Sequence, residues 1–145
     1  MGEYRQLDTH FKVLKGLLKL RQQAGVNSSH LIYYERETLK GPKESKVWIS
    51  KVNDPEALKT LLQKIFPIAV VVNKHREIYI CKGIQIHLDQ VEDLGSYIEF
   101  EVEVQNDFQA KKRVQDSLIE FMRTLDIKDQ DLEEASYSDL LSNFT

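Results

Sequence analysis

The sequence predicts a single domain, residues 1–145, of the α+β class with a mostly antiparallel sheet. The prediction depends on many short segments rich in Val, Ile, Tyr and Phe before residue 105, and on two amphipathic helical segments. A chain of 145 residues can bury a core without disulfides. Its single Cys81 indicates a reducing compartment, and no apolar run approaches the ~20 residues of a membrane span. We therefore expect a soluble cytoplasmic protein without a membrane partner.

The predicted strands are separated by polar or glycine-containing breaks. In chain order they are Tyr4–Lys12, Leu17–Gln23, His30–Thr38, Ser45–Val52, Ile68–Lys74, Arg76–Lys82, Ile84–Val91 and Tyr97–Gln105. The fifth and sixth are equally consistent with one long strand, because only Asn73 divides them. The pair Lys82-Gly83 predicts a tight turn between the sixth strand and the seventh.

Two helices with a single apolar stripe are predicted, followed by a short third helix within Asp129–Leu141. Asp54-Pro55 supplies an N-cap and a proline at the first helical position, and the second helix begins near Asp107. The predicted stripe of the first helix consists of Leu58, Leu61, Leu62 and Ile65. That of the second consists of Ala110, Val114, Leu118, Phe121, Met122 and Leu125. One stripe per helix places both on the outside of a sheet.

Charged residues alternate with apolar ones in several predicted strands, and side chains two apart share a face. The charged faces include the pairs Lys19 with Arg21, Lys74 with Arg76, and Glu99 with Glu101, and also Gln85, His87 and Asp89. Two arrangements fit this pattern. One is a sheet with its apolar face on a core and its charged face in water. The other is a barrel with helices outside and the charges inside, where a polyphosphate and a divalent metal would relieve the repulsion.

Other functional classes find little support. With 20 basic and 23 acidic residues the net charge is −3, which argues against a nucleic-acid partner. No glycine-rich phosphate loop is present. The basic run at residues 111–113 is typical of a solvated helix face. Four histidines lack the spacing of metal ligands: His10, His30, His75 and His87. Only His87 is expected on the charged face, as a hydrogen-bonded neutral residue in preference to a metal ligand or a general base.

Six segments follow one another like a known set of motifs. They are Gln6–Phe11; Leu18–Arg21; Leu31–Arg36 with Gly41-Pro42-Lys43 and Ser45; Lys74–Arg76; His87–Gly95 with Glu99–Glu101; and Ser136–Leu141. Together they resemble the CYTH family of triphosphate tunnel metalloenzymes. That family includes class IV adenylyl cyclases, thiamine triphosphatases and inorganic triphosphatases, and the class IV cyclase-like branch is the most similar.

The resemblance implies an antiparallel barrel whose cationic tunnel holds a triphosphate such as ATP, thiamine triphosphate or tripolyphosphate. The residues that correspond to the phosphate-binding cations are Lys19, Arg21, Arg36, Lys74 and Arg76. Glu99 and Glu101 correspond to carboxylates that hold Mg²⁺ or Mn²⁺, and Asp89 to a catalytic aspartate of the tunnel. The implied activity is that of an adenylyl cyclase or a triphosphate hydrolase.

Some family features have no counterpart in this sequence. The family's E-x-E-x-K strand and the helix that follows it are missing before Gln6. Leu17 and Gln85 stand where the family usually has arginine, and Glu103 adds a carboxylate. The resemblance therefore implies a barrel incomplete at its N-terminus, with open edges that would pair with a second copy or a strand-complementing partner. Three interpretations stay open: an enzyme completed by such a partner, a tunnel that binds a phosphorylated ligand without turnover, and a piece of a longer enzyme. A protein-binding module outside the family is the fourth.

Overall fold

The centre of the protein is a seven-stranded sheet in which every strand pair is antiparallel. The computed structural model describes residues 2–24, 28–37 and 41–143. Its strands are β1 Gly2–Phe11, β2 Leu17–Ala24, β3 Ser29–Arg36, β4 Ser45–Val52, β5 Ile68–Cys81, β6 Ile84–Val91 and β7 Gly95–Glu101. Its helices are α1 Pro55–Ile65, α2 Phe108–Thr124 and α3 Tyr137–Ser142, with a 3₁₀ turn at Asp129–Asp131. The predicted α+β, mostly antiparallel class is confirmed.

Among the described residues, no helix is both long enough and apolar enough to cross a bilayer.

The sheet is curled. Its order, β4-β3-β2-β1-β5-β6-β7, places β1 at the centre and β4 and β7 at the edges. Strands about 4.8 Å apart would put β3 and β7 about 24 Å apart in a flat sheet. Yet the pKa of Tyr34 on β3 is raised to about 12, mainly by burial of its hydroxyl and in part by the Glu99 carboxylate on β7. The two strands therefore approach each other across a half-barrel, whose concave side we call the trough. No ladder joins β4 to β7 in the described part of the chain.

The cross-strand register shows which face points inward. Asp8 on β1 lies opposite Arg21 on β2, and Arg76 on β5 lies opposite Asp89 on β6. The Lys74 ammonium of β5 lies 2.9 Å from Asp8. These charged side chains share the concave face, while the apolar positions between them face outward. Of the two arrangements that fit the sequence, the one with charges inside describes the protein, although the barrel is open.

Helix α1 lies on the convex side, as predicted. The Asp54 side chain accepts a hydrogen bond of 3.0 Å from the backbone N–H of Ala57, which caps the helix. Leu62 is buried against Phe11 of β1 and Leu20 of β2. This cluster is the part of the buried apolar core that lies under α1, and it fixes the two strands that carry the centre of the trough.

The stripes of both long helices are less buried than predicted. On α1, Leu61 and Ile65 are 57% and 61% exposed. Helix α2, all of whose residues are described, has no fully buried side chain, and Leu125 just beyond it is exposed. Its Phe121 ring meets Phe100 of β7 edge to face at 5.5 Å. The apolar stripes predicted correctly which side of each helix faces the sheet but not how deeply that side is buried, because each helix lies on an outer surface with solvent along its flanks.

Two strand predictions are corrected or decided by the structure. The fifth and sixth predicted strands form the single strand β5, and Lys82 and Gly83 turn the chain with φ of 51° and 77°. Strand β7 ends at Glu101, four residues early, because Glu101 lies opposite Gln85, near the start of the neighbouring strand β6. Glu103 is therefore exposed outside the sheet. The predicted end of the third strand at Thr38 lies outside the described residues.

The short helix α3 lies on the concave side, contrary to the prediction that the helices pack outside. Ser136 and Asp139 form a reciprocal capping box at its start. The Tyr137 hydroxyl donates a 2.8 Å hydrogen bond to Asp89, and the Tyr137 ring lies 5.8 Å from the Lys74 ammonium. A phenol that satisfies a buried carboxylate explains why α3 enters the trough.

Leu62→Ala is expected to lower the free energy of unfolding by about 2–3 kcal/mol, because it leaves a cavity against Phe11 and Leu20. Leu61→Ala, one position away and largely exposed, is the control and should stay within about 0.5 kcal/mol. Urea unfolding followed by circular dichroism measures both. Equal losses would show that α1 does not dock through Leu62.

Candidate functional site: the charged trough

A single buried carboxylate at the centre of the trough is shared by three cations. Asp8 Oδ2 lies 2.7 Å from Arg21 Nη2, 2.9 Å from Lys74 Nζ and 3.3 Å from Lys19 Nζ. Arg21 Nε also donates to Asp8 Oδ1 at 2.8 Å, which completes a fork. Burial opposes ionisation of Asp8, but the three cations outweigh it and hold its pKa well below the usual range. Asp8 is thus a charged counter-ion that gathers these side chains.

The cluster leaves positive charge uncompensated. Burial, assisted by Arg21, Arg76 and Lys19, lowers the pKa of the Lys74 ammonium to about 7. Burial likewise lowers the pKa of Lys19, whose ammonium lies 5.2 Å from the centre of the Tyr34 ring. Three cations around one carboxylate favour an additional anion, since an anion would relieve both the desolvation and the mutual repulsion.

A second buried cluster lies beside the first. Arg76 Nε and Nη2 each donate a 2.7 Å hydrogen bond to Asp89, one to each carboxylate oxygen. Tyr137 donates a third to the same carboxylate, and Arg76 Nη2 lies 3.5 Å from Glu99 Oε1. Both oxygens of Asp89 are therefore occupied. The catalytic role predicted for Asp89 stays a prediction, and in this geometry its carboxylate orients Arg76.

Glu99 and Glu101, the predicted metal ligands, share the concave face of the edge strand β7. Their side chains are 41% and 64% exposed to the open trough. Between them lies His87 of β6, with Nδ1 3.9 Å from Glu99 Oε2 and Nε2 3.9 Å from Glu101 Oε2. The trough partly desolvates Glu99, which opposes its ionisation, but His87, Arg76 and Lys74 outweigh this effect and place its pKa below the usual range. Glu99 is therefore a carboxylate suited to a cation.

A divalent metal fits these residues only with help from a ligand. In the described ranges, no three His, Cys, Asp or Glu side chains converge closely enough to hold a metal ion. Glu99 and Glu101 supply two carboxylates, and Mg²⁺ is commonly bound by one or two carboxylates completed by phosphate oxygens and water. The donor set thus suits a metal that arrives with, or is completed by, a phosphate compound.

Arg36 lies apart from the buried clusters. It is exposed at the end of β3, opposite Ser45 of β4. Burial, and next the nearby Arg36 guanidinium, lower the pKa of Lys43. Lys43 donates a hydrogen bond to the backbone carbonyl of Glu134, ahead of α3. Arg36 and Lys43 therefore form a cationic rim at the mouth of the trough.

Four of the five predicted phosphate-binding cations meet in the trough, and the fifth stands at its rim. The four are Lys19, Arg21, Lys74 and Arg76. Their convergence from β2 and β5 follows from the two-residue period of the strands and from the register with β1.

Sequence reasoning missed three functional residues. Asp8 was the strongest omission, although it shares a face of its strand with two other polar residues, Gln6 and His10. Tyr137 lies in the motif segment Ser136–Leu141, but no role in the tunnel was predicted for it. His10 also lies on the concave face, which corrects the expectation that only His87 does. Burial, followed by the Lys19 charge, lowers the pKa of His10 to about 4 and keeps its ring neutral.

Known proteins share this architecture. A protein of Methanocaldococcus jannaschii named "Putative adenylate cyclase MJ0240" is 26% identical over 144 residues, covering 94% of this chain and 77% of that protein. The solved structure of the PH1012 protein from Pyrococcus horikoshii OT3 has a TM-score of 0.82 and 28% identity, and covers 97% of this chain and 84% of that one. The X-ray structure of a protein from Vibrio parahaemolyticus described as a putative adenylate cyclase has a TM-score of 0.79 at 19% identity. It covers 97% of this chain and 81% of that chain, a likeness that shows the fold alone.

The family itself is shown by a match over most of the sequence. The family model described as "CYTH domain" matches residues 5–137, which include most of β1, both buried clusters and Tyr137. The chain therefore belongs to the CYTH domain family.

Proposed function

We propose that the trough binds a triphosphate compound together with a divalent metal, as an adenylyl cyclase-like or triphosphatase-like protein. The observation that carries this proposal is the buried cluster of Lys19, Arg21 and Lys74 around Asp8. Without a ligand such a cluster costs folding free energy, because each desolvated cation beyond the first lacks its own counter-ion. A bound anion would offset this cost. A triphosphate offers several charged oxygens that point in different directions and suits cations from different strands.

The remaining residues supply distinct parts of the binding event. Arg76, oriented by Asp89, presents a guanidinium fixed in a fork, and Arg36 at the rim contacts the end of the ligand nearest solvent. Glu99 and Glu101 hold the metal, and when bound it neutralises phosphate charge and polarises the reacting phosphoryl group. Family membership and the two carboxylates together support Mg²⁺ or Mn²⁺ as the metal of this site.

Cyclase and hydrolase chemistry share most of these residues. The name of the relative from Methanocaldococcus jannaschii supports the cyclase branch. With ATP and Mn²⁺, cyclisation gives cyclic AMP and pyrophosphate, whereas hydrolysis by water gives orthophosphate. Product analysis by chromatography separates the two reactions. Binding without either product supports the alternative, a non-catalytic module for phosphorylated ligands.

Arg36→Glu tests the ligand assignment without disturbing the buried clusters, since Arg36 is exposed. We expect it to weaken tripolyphosphate binding, measured by isothermal titration calorimetry, about tenfold or more, because one charge-assisted contact becomes a repulsion. Lys46→Glu is the matched control: Lys46 is exposed on β4 but lies opposite Glu35, on the other face of the sheet. Affinity that is retained in Arg36→Glu, or lost equally in both variants, would contradict the proposal.

A further inference from the structure

We propose that the trough selects a triphosphate that carries a neutral ring, such as a nucleoside triphosphate, over inorganic tripolyphosphate and thiamine triphosphate. The ring lies against the concave face of β3 and β4, which we call the apolar wall. At its centre are Ile32, Tyr34, Val47 and Ile49. The inference rests on the proposed function, because it takes the cationic clusters as the site of the phosphates.

The register of the sheet shows that the apolar wall faces the trough. Lys19 of β2 lies opposite Ile32, and Ile32 lies opposite Ile49. Directly opposed side chains share a face of a sheet, so both isoleucines project from the concave side, as Lys19 does. Tyr34 and Val47 form the neighbouring row on the same face.

The apolar wall begins beside the buried clusters. The Lys19 ammonium lies 5.2 Å from the centre of the Tyr34 ring, so Tyr34 stands at the boundary between cations and wall. From β2 to β4 the distance is two strand spacings, about 10 Å. A group that extends from phosphates at Lys19 toward β4 therefore reaches Val47 and Ile49.

The apolar wall is open to a ligand. Val47 and Ile49 are 50% and 63% exposed, whereas Ile32 beside them is 8% exposed. Contact of such apolar surface with water is unfavourable, and the phosphates cannot relieve it. A ring of the ligand that covers the wall adds a favourable contribution to binding in proportion to the apolar area that it removes from water. Tripolyphosphate has no ring and gains nothing from the wall.

The charge of the apolar wall favours a neutral ring over a cationic one. On the described concave face of β3 and β4 there is no carboxylate, and the side chains there that can carry charge at neutral pH are His30, Arg36 and Lys51. The thiazolium ring of thiamine triphosphate is a cation and finds no counter-ion at this wall. Lys19 already lies over the Tyr34 ring, which adds repulsion to a second cation there. A purine base is neutral at pH 7 and meets neither difficulty.

The test compares two ligands on the same protein, because partial unfolding lowers both affinities alike and leaves their ratio unchanged. Isothermal titration calorimetry of the full chain without divalent metal gives the ratio of the ATP affinity to the tripolyphosphate affinity. The double variant Val47→Ser/Ile49→Ser should lower this ratio about tenfold, because the ring loses two apolar contacts while the phosphates keep theirs.

Trp48→Ser is the matched control. Trp48 stands between the two altered residues and is 55% exposed, but it lies opposite Tyr33 on the convex face. Its ratio should stay within about twofold of that of the unaltered protein. Thiamine triphosphate is the second ligand control: it should bind at least about tenfold more weakly than ATP and change less than about twofold in the double variant.

Several results would overturn the inference. They are a ratio that the double variant leaves unchanged, an equal fall in Trp48→Ser, and a thiamine triphosphate affinity equal to that of ATP. A double variant that changes the sedimentation coefficient but not the ratio would show that a second copy covers the wall. An unchanged ratio together with loss of binding in Arg36→Glu would refute the inference and leave the proposed function standing. A protein that binds neither ligand would refute both.

Discussion

Asp89→Leu is expected to lower the free energy of unfolding by about 3–5 kcal/mol, because it leaves a buried guanidinium without its counter-ion. The Arg76 side chain is 7% exposed and makes both of its short hydrogen bonds to Asp89. Without that carboxylate it keeps only Glu99 at 3.5 Å, and the Tyr137 hydroxyl loses its acceptor as well. Arg76→Met should cost a similar amount, since it leaves Asp89 charged and buried with Tyr137 alone.

The double variant Arg76→Met/Asp89→Leu is the informative control. A buried ion pair replaced as a whole by apolar residues of similar volume is often neutral or stabilising. We therefore expect the double variant to recover most of the stability lost in each single variant. It should nevertheless bind tripolyphosphate weakly, because it lacks the Arg76 guanidinium. Guanidinium unfolding of all four proteins completes the cycle. If the losses of unfolding free energy in the two single variants simply add in the double variant, the pair is not coupled and Asp89 does not orient Arg76.

The sequence predicted the faces of the strands well because a strand has a period of two. Lys19 with Arg21, and Lys74 with Arg76, were correctly grouped on common faces. Periodicity could not show which face points inward, because a filled core and a charged trough have the same alternation. The motif resemblance decided between them, and the register confirmed it.

The errors arose where a contact between distant parts of the chain sets the structure. Tyr137 enters the trough to bond a residue 48 positions earlier, and a six-residue helix has no periodicity that predicts this. Strand β7 ends where its neighbour begins, at Gln85 opposite Glu101, and the run of alternating residues beyond Glu101 continues without a partner. Helix stripes fix an orientation, but the depth of burial depends on what surrounds the helix.

Raising the pH above 7 should weaken tripolyphosphate binding by up to about tenfold per unit, because Lys74 loses its proton in the free protein. Its pKa of about 7 lies below the ordinary 10.5 through burial and the neighbouring cations. A bound anion favours the ammonium form, so binding above pH 7 takes up a proton. Calorimetry in buffers of different ionisation enthalpy measures that uptake directly.

Stability should move in the opposite direction over the same interval. Between pH 7 and 10.5 the unfolded chain keeps a proton on Lys74 that the folded chain has released, so the unfolded state binds more protons. The free energy of unfolding therefore rises with pH there, by at most about 1.4 kcal/mol per unit. Lys19, whose pKa is also lowered by burial, contributes with the same sign.

Comparison of the unaltered protein with Lys74→Met separates the titration of Lys74 from that of the ligand, because free tripolyphosphate has the same protonation equilibria in both experiments. The variant should bind weakly at every pH, and the difference between the two affinity profiles should shrink as the pH rises, since deprotonated Lys74 and methionine are both neutral. Its stability should also lose the part of the slope due to Lys74. An affinity ratio that stays constant from pH 6 to pH 10 would mean that Lys74 does not titrate in this interval, or that the anion does not reach it. Such a ratio would place the phosphates away from Asp8 and remove the observation on which the triphosphate assignment depends.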